Sequence, residues 1–389
     1  MFPTLSHIID YFFGVHITLP VPTFGFFVAL AFVGAYQIFK SEFKRKEKLG
    51  YIHSFQKEKK TGMTVRILGY IFNTIVGFIL GFKIIGIILD YATFAGSPVR
   101  YIFSLKGHMI SGIIVGGIFI YLTYIKNRID EFPIPALNPK EIHPYQLMSS
   151  IALWCGILGF VGAKLFSCLE NPVLFIHHLA RQLFSLTGWT FYGGLVFGAL
   201  TYLYIGYRHG MRLIDLADIG SPGMMLAYGI GRMGCHLSGD GDWGMINSFP
   251  KPSVLTWLPD WAWSFQFPHN VLNKGIFIPN CAEAYCYALP QGVFPTSLYE
   301  SVICLLLFAM LWLLRNKIRL PGLMFFLYLI LAGMERFFME MIKVNPHYHL
   351  GQLSFTQAEF ISFFMIIGGI VGVTVLFFRN RSGRRMVNY

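Results

Sequence analysis

Apolar residues in this chain run in long blocks separated by short polar, mostly basic stretches. About 20 apolar residues carry a helix across the hydrocarbon of a bilayer. Blocks near that length lie at 22–39, 67–94, 108–125, 146–168, 187–206, 214–237, 297–314, 320–342 and 357–378. The pattern predicts nine spans in an all-α polytopic membrane protein, because only a helix satisfies its own backbone in lipid without closing a barrel. Two blocks are interrupted. Lys83 and Asp90 fall in the second, and Asp215 and Asp218 open the sixth, so each is a candidate for a broken or re-entrant helix.

Composition excludes an ordinary soluble domain: 55% of residues are hydrophobic, 17% aromatic and 13% charged, with mean hydropathy +0.56. Basic residues then set the orientation, because short loops rich in Lys and Arg stay in the cytoplasm. With the N-terminus outside, the inner loops 40–66, 126–145, 207–213, 315–319 and 379–389 hold 21 of the 31 basic residues. The basic tail from Arg379 to Arg385 then lies inside. The net charge of +12 reads as orienting and lipid-facing charge, and no nucleic-acid motif accompanies it. The N-terminal segment lacks a basic n-region and a small-residue cleavage site, so it is expected to belong to the mature protein.

This topology divides the chain into a helical bundle over 1–237 and 297–389 and an extracytoplasmic head over 238–296. The head holds Trp243, Trp257, Trp261 and Trp263, which suit either the headgroup zone or the packing of a small cap. Cys281 and Cys286 would face an oxidising compartment, which favours a loop-closing disulfide. Cys155, Cys168, Cys235 and Cys304 lie in or near spans, where cysteine is by default a small buried hydrophobe.

Polar residues inside the spans gather toward the outer leaflet. Lys164, Tyr192, Arg232, His236, Glu300, Arg336 and Glu340 all fall there, and Arg336 and Glu340 share a helical face. A charged side chain in lipid is costly and usually faces a polar cavity, and a guanidinium matches a phosphate through two parallel hydrogen bonds. Arg232 and Arg336 therefore read as headgroup ligands; a snorkelling arginine and a structural ion-pair network are the plain alternatives.

The stretch from Gly231-Arg232-Met233-Gly234 to Asp240-Gly241-Asp242-Trp243-Gly244 resembles the signature of the prolipoprotein diacylglyceryl transferases, roughly G-R-x-G-N-F-x-N-G-E-x-W-G. Five further stretches agree in order: Tyr192-Gly193-Gly194-Leu195, Ala217-Asp218-Ile219-Gly220-Ser221-Pro222, Phe294 to Glu300, Glu335 to Glu340, and Gly351-Gln352-Leu353-Ser354. They cover the chain from about 146 onward. The resemblance implies a core of seven spans, so 67–125 reads as an added hairpin.

It also implies an activity without cofactor or metal. The diacylglyceryl group of phosphatidylglycerol passes to the lipobox cysteine of a preprolipoprotein at the outer face of a bacterial inner membrane, leaving glycerol 1-phosphate. Arg232 and Arg336 would stabilise the leaving phosphate, and Glu300 and Glu340 would orient them. Asp240 or Asp242 would supply the acidic residue of the signature, with one residue inserted. Tyr299 would line the substrate site, and Gly193, Gly194 and Gly244 would admit close backbone approach. The chain departs from the pattern in three places: Tyr192 replaces the histidine proposed as base, Cys235 replaces an asparagine, and Phe24 replaces a tyrosine.

Three readings follow from those departures: Tyr192 works as base in a cationic pocket, His236 takes the proton, or the chain binds lipid or precursor without turnover, as a silent relative or a subunit of a membrane assembly. A transporter is a further class, disfavoured because the polar residues do not reach the inner leaflet. The pairs His177-His178 and His347-Tyr348-His349 lack further ligands at fixed spacing, so no metal site is expected. No phosphate loop, dinucleotide fingerprint or serine-hydrolase elbow is present.

Overall fold

The computed structural model describes residues 1–16, 19, 21–57, 63–96, 101–102, 104–129, 140–170, 190–281, 284–350 and 353–386. A short helix, α1 (Leu5–Phe13), comes first. Nine longer helices follow among the described residues: α2 (Thr23–Lys48), α3 (Met63–Leu89), α4 (Met109–Ile129), α5 (Met148–Glu170), α6 (Phe191–Arg208), α7 (Leu213–Ser238), α8 (Thr296–Leu314), α9 (Leu323–Glu340) and α10 (Gln357–Met386). The protein is an all-α polytopic membrane protein. Five stretches, within α2, α3, α8, α10 and Pro144–Leu169, are long and apolar enough to cross a bilayer, and Met109–Ile125 is a shorter apolar helix. The remaining three, α6, α7 and α9, carry most of the intramembrane polar residues discussed below.

The block at 67–94 breaks at Asp90 but not at Lys83, and the block at 214–237 does not break at all. Helix α3 continues past Lys83, whose ammonium donates to the carbonyls of Tyr101 (2.9 Å), Ser104 (2.5 Å) and Lys106 (2.8 Å) and so reaches polar partners. It ends at Asp90, where the one-turn helix Tyr91–Gly96 follows. Helices α3 and α4 pack on each other through small residues: a Cβ on Gly81 would stand 2.5 Å from the Ser111 carbonyl oxygen. Strands β1 (Phe55–Lys57) and β2 (Lys140–Ile142) pair antiparallel and tie the two ends of this hairpin together.

Helix α7 runs unbroken through Asp215, Asp218 and Pro222 and is the centre of the body. One apolar cluster joins it to α2, α5 and α6 through Phe39, Phe43, Ile151, Tyr202, Leu216 and Ile219. A second joins it to α8 and α9 through Met225, Cys304, Leu311 and Met324. Contact with α2 is too close for a side chain, since a Cβ on Gly223 would lie 2.4 Å from the Phe39 ring. Such close approach is how helices associate in lipid, where apolar burial alone gives no driving force.

The two aspartates that open α7 are structural. Lys46 of α2 pairs with Asp218 (2.8 Å) and stands 3.7 Å from Asp215, which Arg212 also holds (2.7 Å). The Asp218 carboxylate further accepts the backbone N–H groups of Gly322 (2.8 Å) and Phe325 (2.9 Å), capping the first turn of α9 from another helix. Beside it the fully buried Glu42 binds Arg45 (2.6 Å) and Arg315 (3.0 Å). Buried charge therefore gathers at both ends of α7, not only at the C-terminal end that holds Arg232.

Between α7 and α8 the chain forms a small head. Asn270, fully buried, donates to the carbonyls of Phe267, Lys274 and Tyr287 and accepts from the Lys274 N–H, pinning three loop segments. Strands β3 (Ile276–Phe277) and β4 (Tyr287–Ala288) pair antiparallel, and Cys281 and Cys286 form a disulfide. The tryptophans divide between the two uses open to them. Trp243 packs on Phe267 and Trp263 on Phe294, whereas Trp257 is 76% exposed. A third antiparallel pair, β5 (His347–Leu350) and β6 (Leu353–Thr356), links α9 to α10. The N-terminus reaches this end of the body as well, with the Phe2 N–H donating to the Leu237 carbonyl (2.8 Å).

Candidate active site

The C-terminal end of α7 and the elements around it converge on Glu300. This residue lies in the second turn of α8, fully buried, with the adjacent Ser301 hydroxyl donating to the Gly229 carbonyl of α7 (2.8 Å). Three cations meet its carboxylate. Arg232 Nε stands 3.1 Å from Oε2; Arg336 Nη1 (3.0 Å) and Lys343 Nζ (2.9 Å) both reach Oε1. The Tyr228 hydroxyl lies 3.5 Å from Oε1, and the Arg232 guanidinium sits over the Tyr228 ring at 4.8 Å.

Two further carboxylates complete the arrangement. Asp242 pairs with Arg232 through one oxygen and with Lys343 through the other (2.7 Å), and its carbonyl accepts the Thr296 hydroxyl (3.0 Å). Glu340, one turn after Arg336, pairs with it at 3.1 Å and accepts from Asn345 (2.6 Å). The Glu300 and Glu340 side chains are wholly buried, but the Arg232 and Arg336 side chains keep 21% and 23% of their surface open. A buried carboxylate thus holds two partly open cations in fixed orientation, which is the requirement for binding an anion without reorganisation.

Lys343 follows α9 by three residues and is nearly enclosed. Burial pushes its ammonium down to about 8, against the opposing pull of Glu300. Asp240, in the loop after α7, is raised by burial, although contact with the Cys235 thiol and the charge of Arg232 oppose this. Of the two aspartates expected to supply the acidic group, Asp242 carries the ion pairs and Asp240 turns to Cys235.

Other residues expected from sequence take different places. His236 is buried among Trp261, Phe265 and Phe267, with ring centroids 5.6 to 6.5 Å away, and its Nδ1 has no hydrogen-bond partner among the described residues. Tyr299 donates to the Ala262 carbonyl (2.7 Å) and so ties α8 to the head. Tyr192 is 38% exposed in the first turn of α6. Contact of α6 with α7 is described at the other end, where the Tyr202 hydroxyl meets the Leu216 carbonyl. Lys164 is buried on α5.

Gly193 and Gly244 are close-packing positions, whereas a side chain at Gly194 would meet only ordinary contact. A Cβ on Gly193 would stand 2.3 Å from the Gly162 carbonyl of α5, one on Gly194 3.4 Å from that of Gly159, and one on Gly244 2.7 Å from that of Ile342. Phe24 is partly exposed at the start of α2. His177, His178, Gly351 and Gln352 lie outside the described residues, and among the described residues no three His, Cys, Asp or Glu converge as a metal site.

Sequence reasoning did not single out Lys343 or Tyr228. Tyr228 lies one turn before Arg232, a signal present at helical spacing, whereas Lys343 lies past the end of α9 and is placed by a bridge to Gly244.

Fold and site together define a polytopic helical membrane protein with a cationic cluster at one end of its central helix. The sequence profile of the family described as prolipoprotein diacylglyceryl transferase matches residues 135–375. The chain belongs to this family. It is 29% identical over 224 residues to phosphatidylglycerol–prolipoprotein diacylglyceryl transferase 2 of Clostridium perfringens, covering 55% of this chain and 73% of the relative. It is 31% identical over 241 residues to the corresponding protein of Leptospira interrogans, covering 54% and 67%, and 29% identical over 179 residues to that of Thermus thermophilus, covering 46% and 61%. The match spans α5 to α10, and the α3–α4 hairpin falls outside it.

Proposed function

We propose that this protein transfers the diacylglyceryl group of phosphatidylglycerol to the lipobox cysteine of a preprolipoprotein, at the outer face of a bacterial inner membrane. The observation that carries the reading is the pair of partly exposed arginines, Arg232 and Arg336, whose guanidinium groups are held by the buried Glu300. The headgroup phosphate binds these two cations. The acceptor thiolate attacks the glyceryl carbon that bears the phosphate, a C–S bond forms and the C–O bond breaks. Electrons pass to the leaving oxygen, and glycerol 1-phosphate departs with an added negative charge that the arginines stabilise.

Orientation of the substrates is the larger part of the task, because a thiol and an unactivated carbon react slowly unless held in line. Asp242 and Glu340 hold each guanidinium group at a second nitrogen, so its orientation is fixed by two carboxylates. In this reading the N-terminus and head face outward and the C-terminal tail lies in the cytoplasm, so the cluster meets the outer leaflet, where a signal peptide presents its cysteine.

The substitutions at Tyr192 and Cys235 support one second reading, a relative that binds lipid or precursor without turnover. Purified protein in phosphatidylglycerol vesicles with a lipobox peptide decides between them. Mass spectrometry finds a diacylglyceryl thioether if the protein is the transferase, and only unmodified peptide bound to the vesicles if it is not.

A further inference from the structure

We propose that Arg45 and Arg315, at the end of the bundle opposite Arg232, form a second anion site that holds the phosphate of an anionic phospholipid in the other leaflet. Glu42, fully buried near the C-terminal end of α2, repeats the arrangement built around Glu300. Arg45, three residues on, forks onto it, with Nε at 3.1 Å from Oε1 and Nη2 at 2.6 Å from Oε2. Arg315, just past α8, reaches Oε1 through Nη1 at 3.0 Å. A further bond from Arg45 Nη1 to the Arg315 carbonyl (2.9 Å) fixes the two residues against each other. The Glu42 side chain is wholly buried, whereas the Arg45 and Arg315 side chains keep 15% and 19% of their surface open. Along α8, Glu300 and Arg315 are separated by about 22 Å at 1.5 Å per residue, so no single phosphate serves both centres.

Charge decides what the site takes. Lys46 is matched by Asp218, Arg212 by Asp215, and Glu47 turns to His143, which leaves Glu42 alone to answer two guanidinium groups. Lys44, Lys48, Lys317 and Arg319 lie exposed at the same end, so the excess is positive. Arg45 by itself meets both oxygens of Glu42, and the second arginine is surplus to that task. Of the Arg315 guanidinium, only Nη1 has an acceptor among the described residues, so Nε and Nη2 remain for the paired oxygens of a phosphate. Position then selects a lipid. α2 and α8 are both long and apolar enough to cross a bilayer, and the arginines lie where the two helices end. The Arg315 guanidinium rests on the Trp312 ring, which packs on Phe308 one turn deeper, and both rings are half-buried. Cation, indole and phenyl thus run from the interface into the apolar layer, in the order of a headgroup above its chains.

The test titrates delipidated protein in neutral detergent with short-chain phosphatidylglycerol and follows each bound lipid by native mass spectrometry. R315Q is expected to weaken one tight adduct at least about tenfold, the loss of a charge-assisted hydrogen bond to phosphate, and that adduct persists in R232A. R315Q leaves Glu42 held at both oxygens by Arg45, so the variant is expected to melt with the parent. E42Q/R315Q, which removes one charge of each sign, guards against a folding defect and should weaken the same adduct. Phosphatidylcholine of the same chain length and inorganic phosphate alone are each expected to bind there at least about tenfold more weakly than phosphatidylglycerol, the first for want of net charge and the second for want of chains. Adducts of both folded variants within about threefold of the parent, or a single adduct lost alike in R315Q and R232A, overturn the site. Phosphatidylcholine that binds as tightly as phosphatidylglycerol, or inorganic phosphate that displaces the adduct, overturns its assignment to an anionic lipid.

Discussion

Replacing Glu300 with glutamine keeps the shape of the side chain and removes the charge on which three cations converge. In the protein that carboxylate is fully buried and meets Arg232, Arg336 and Lys343 at 2.9 to 3.1 Å. Breaking a buried ion pair costs about 3–5 kcal/mol when the surviving charge has no other partner. Here each cation retains a second carboxylate, Asp242 for Arg232 and Lys343 and Glu340 for Arg336, so the lower end applies, about 3 kcal/mol. E300Q is expected to lower the melting temperature of the detergent-solubilised protein by several degrees. It should also release the guanidinium groups from their fixed orientation, and a further 2.7 kcal/mol lost from the transition state is about 100-fold in rate. Thermal unfolding followed by tryptophan fluorescence and a peptide-lipidation assay on the same preparation read both effects. A variant that melts within a degree of the parent and turns over within threefold would refute Glu300 as the organiser of the cluster.

Removing the charge of Arg232 with R232A should reduce turnover about 100- to 1,000-fold while the fold persists, by analogy with deleting one preorganised oxyanion donor; phosphatidylglycerol binding by the same variant should weaken in parallel. Asp218 acts at the other end of α7, so D218N should destabilise the protein by about 3 kcal/mol through the buried Lys46 it leaves half-paired, with kcat per folded molecule unchanged. The aromatic box around His236 predicts that H236F keeps turnover within about threefold, as the phenylalanine at that place in the family signature suggests. A large loss there, with the melting temperature preserved, would return His236 to the list of proton acceptors. Y192F should likewise turn over within threefold of the parent, read in the same assay.

The spans were legible because lipid leaves so few solutions. A continuous apolar block of sufficient length has to be a helix, and every predicted block corresponds to a long helix. Charges inside the blocks were harder to read. Lys83 and Asp218 look like interruptions in a linear sequence, yet each reaches polar partners supplied by distant residues, the carbonyls near 101–106 and the start of α9. The short α1 escaped notice because nine residues make neither a span nor a long amphipathic pattern.

At the site, Arg232, Glu300, Arg336 and Glu340 were visible because charge in an apolar block is conspicuous. Lys343 was not, since a lysine just past the end of a block reads as loop charge, and only the bridge between Gly244 and Lys343 brings it beneath Asp242. His236 was conspicuous for its chemistry, and what it packs on comes from head residues about 25 to 31 positions later in the chain, which no local spacing reveals.

The most direct test of the account is the balance of the two products. Purified protein in phosphatidylglycerol vesicles with a lipobox peptide should form diacylglyceryl thioether and glycerol 1-phosphate in equal amounts, and a peptide with serine in place of the cysteine should yield neither. R232A should lose both products together. Glycerol 1-phosphate released without the thiol, or peptide retained on the vesicles with neither product formed, would contradict the claim that this cationic cluster drives a thiol-dependent transfer.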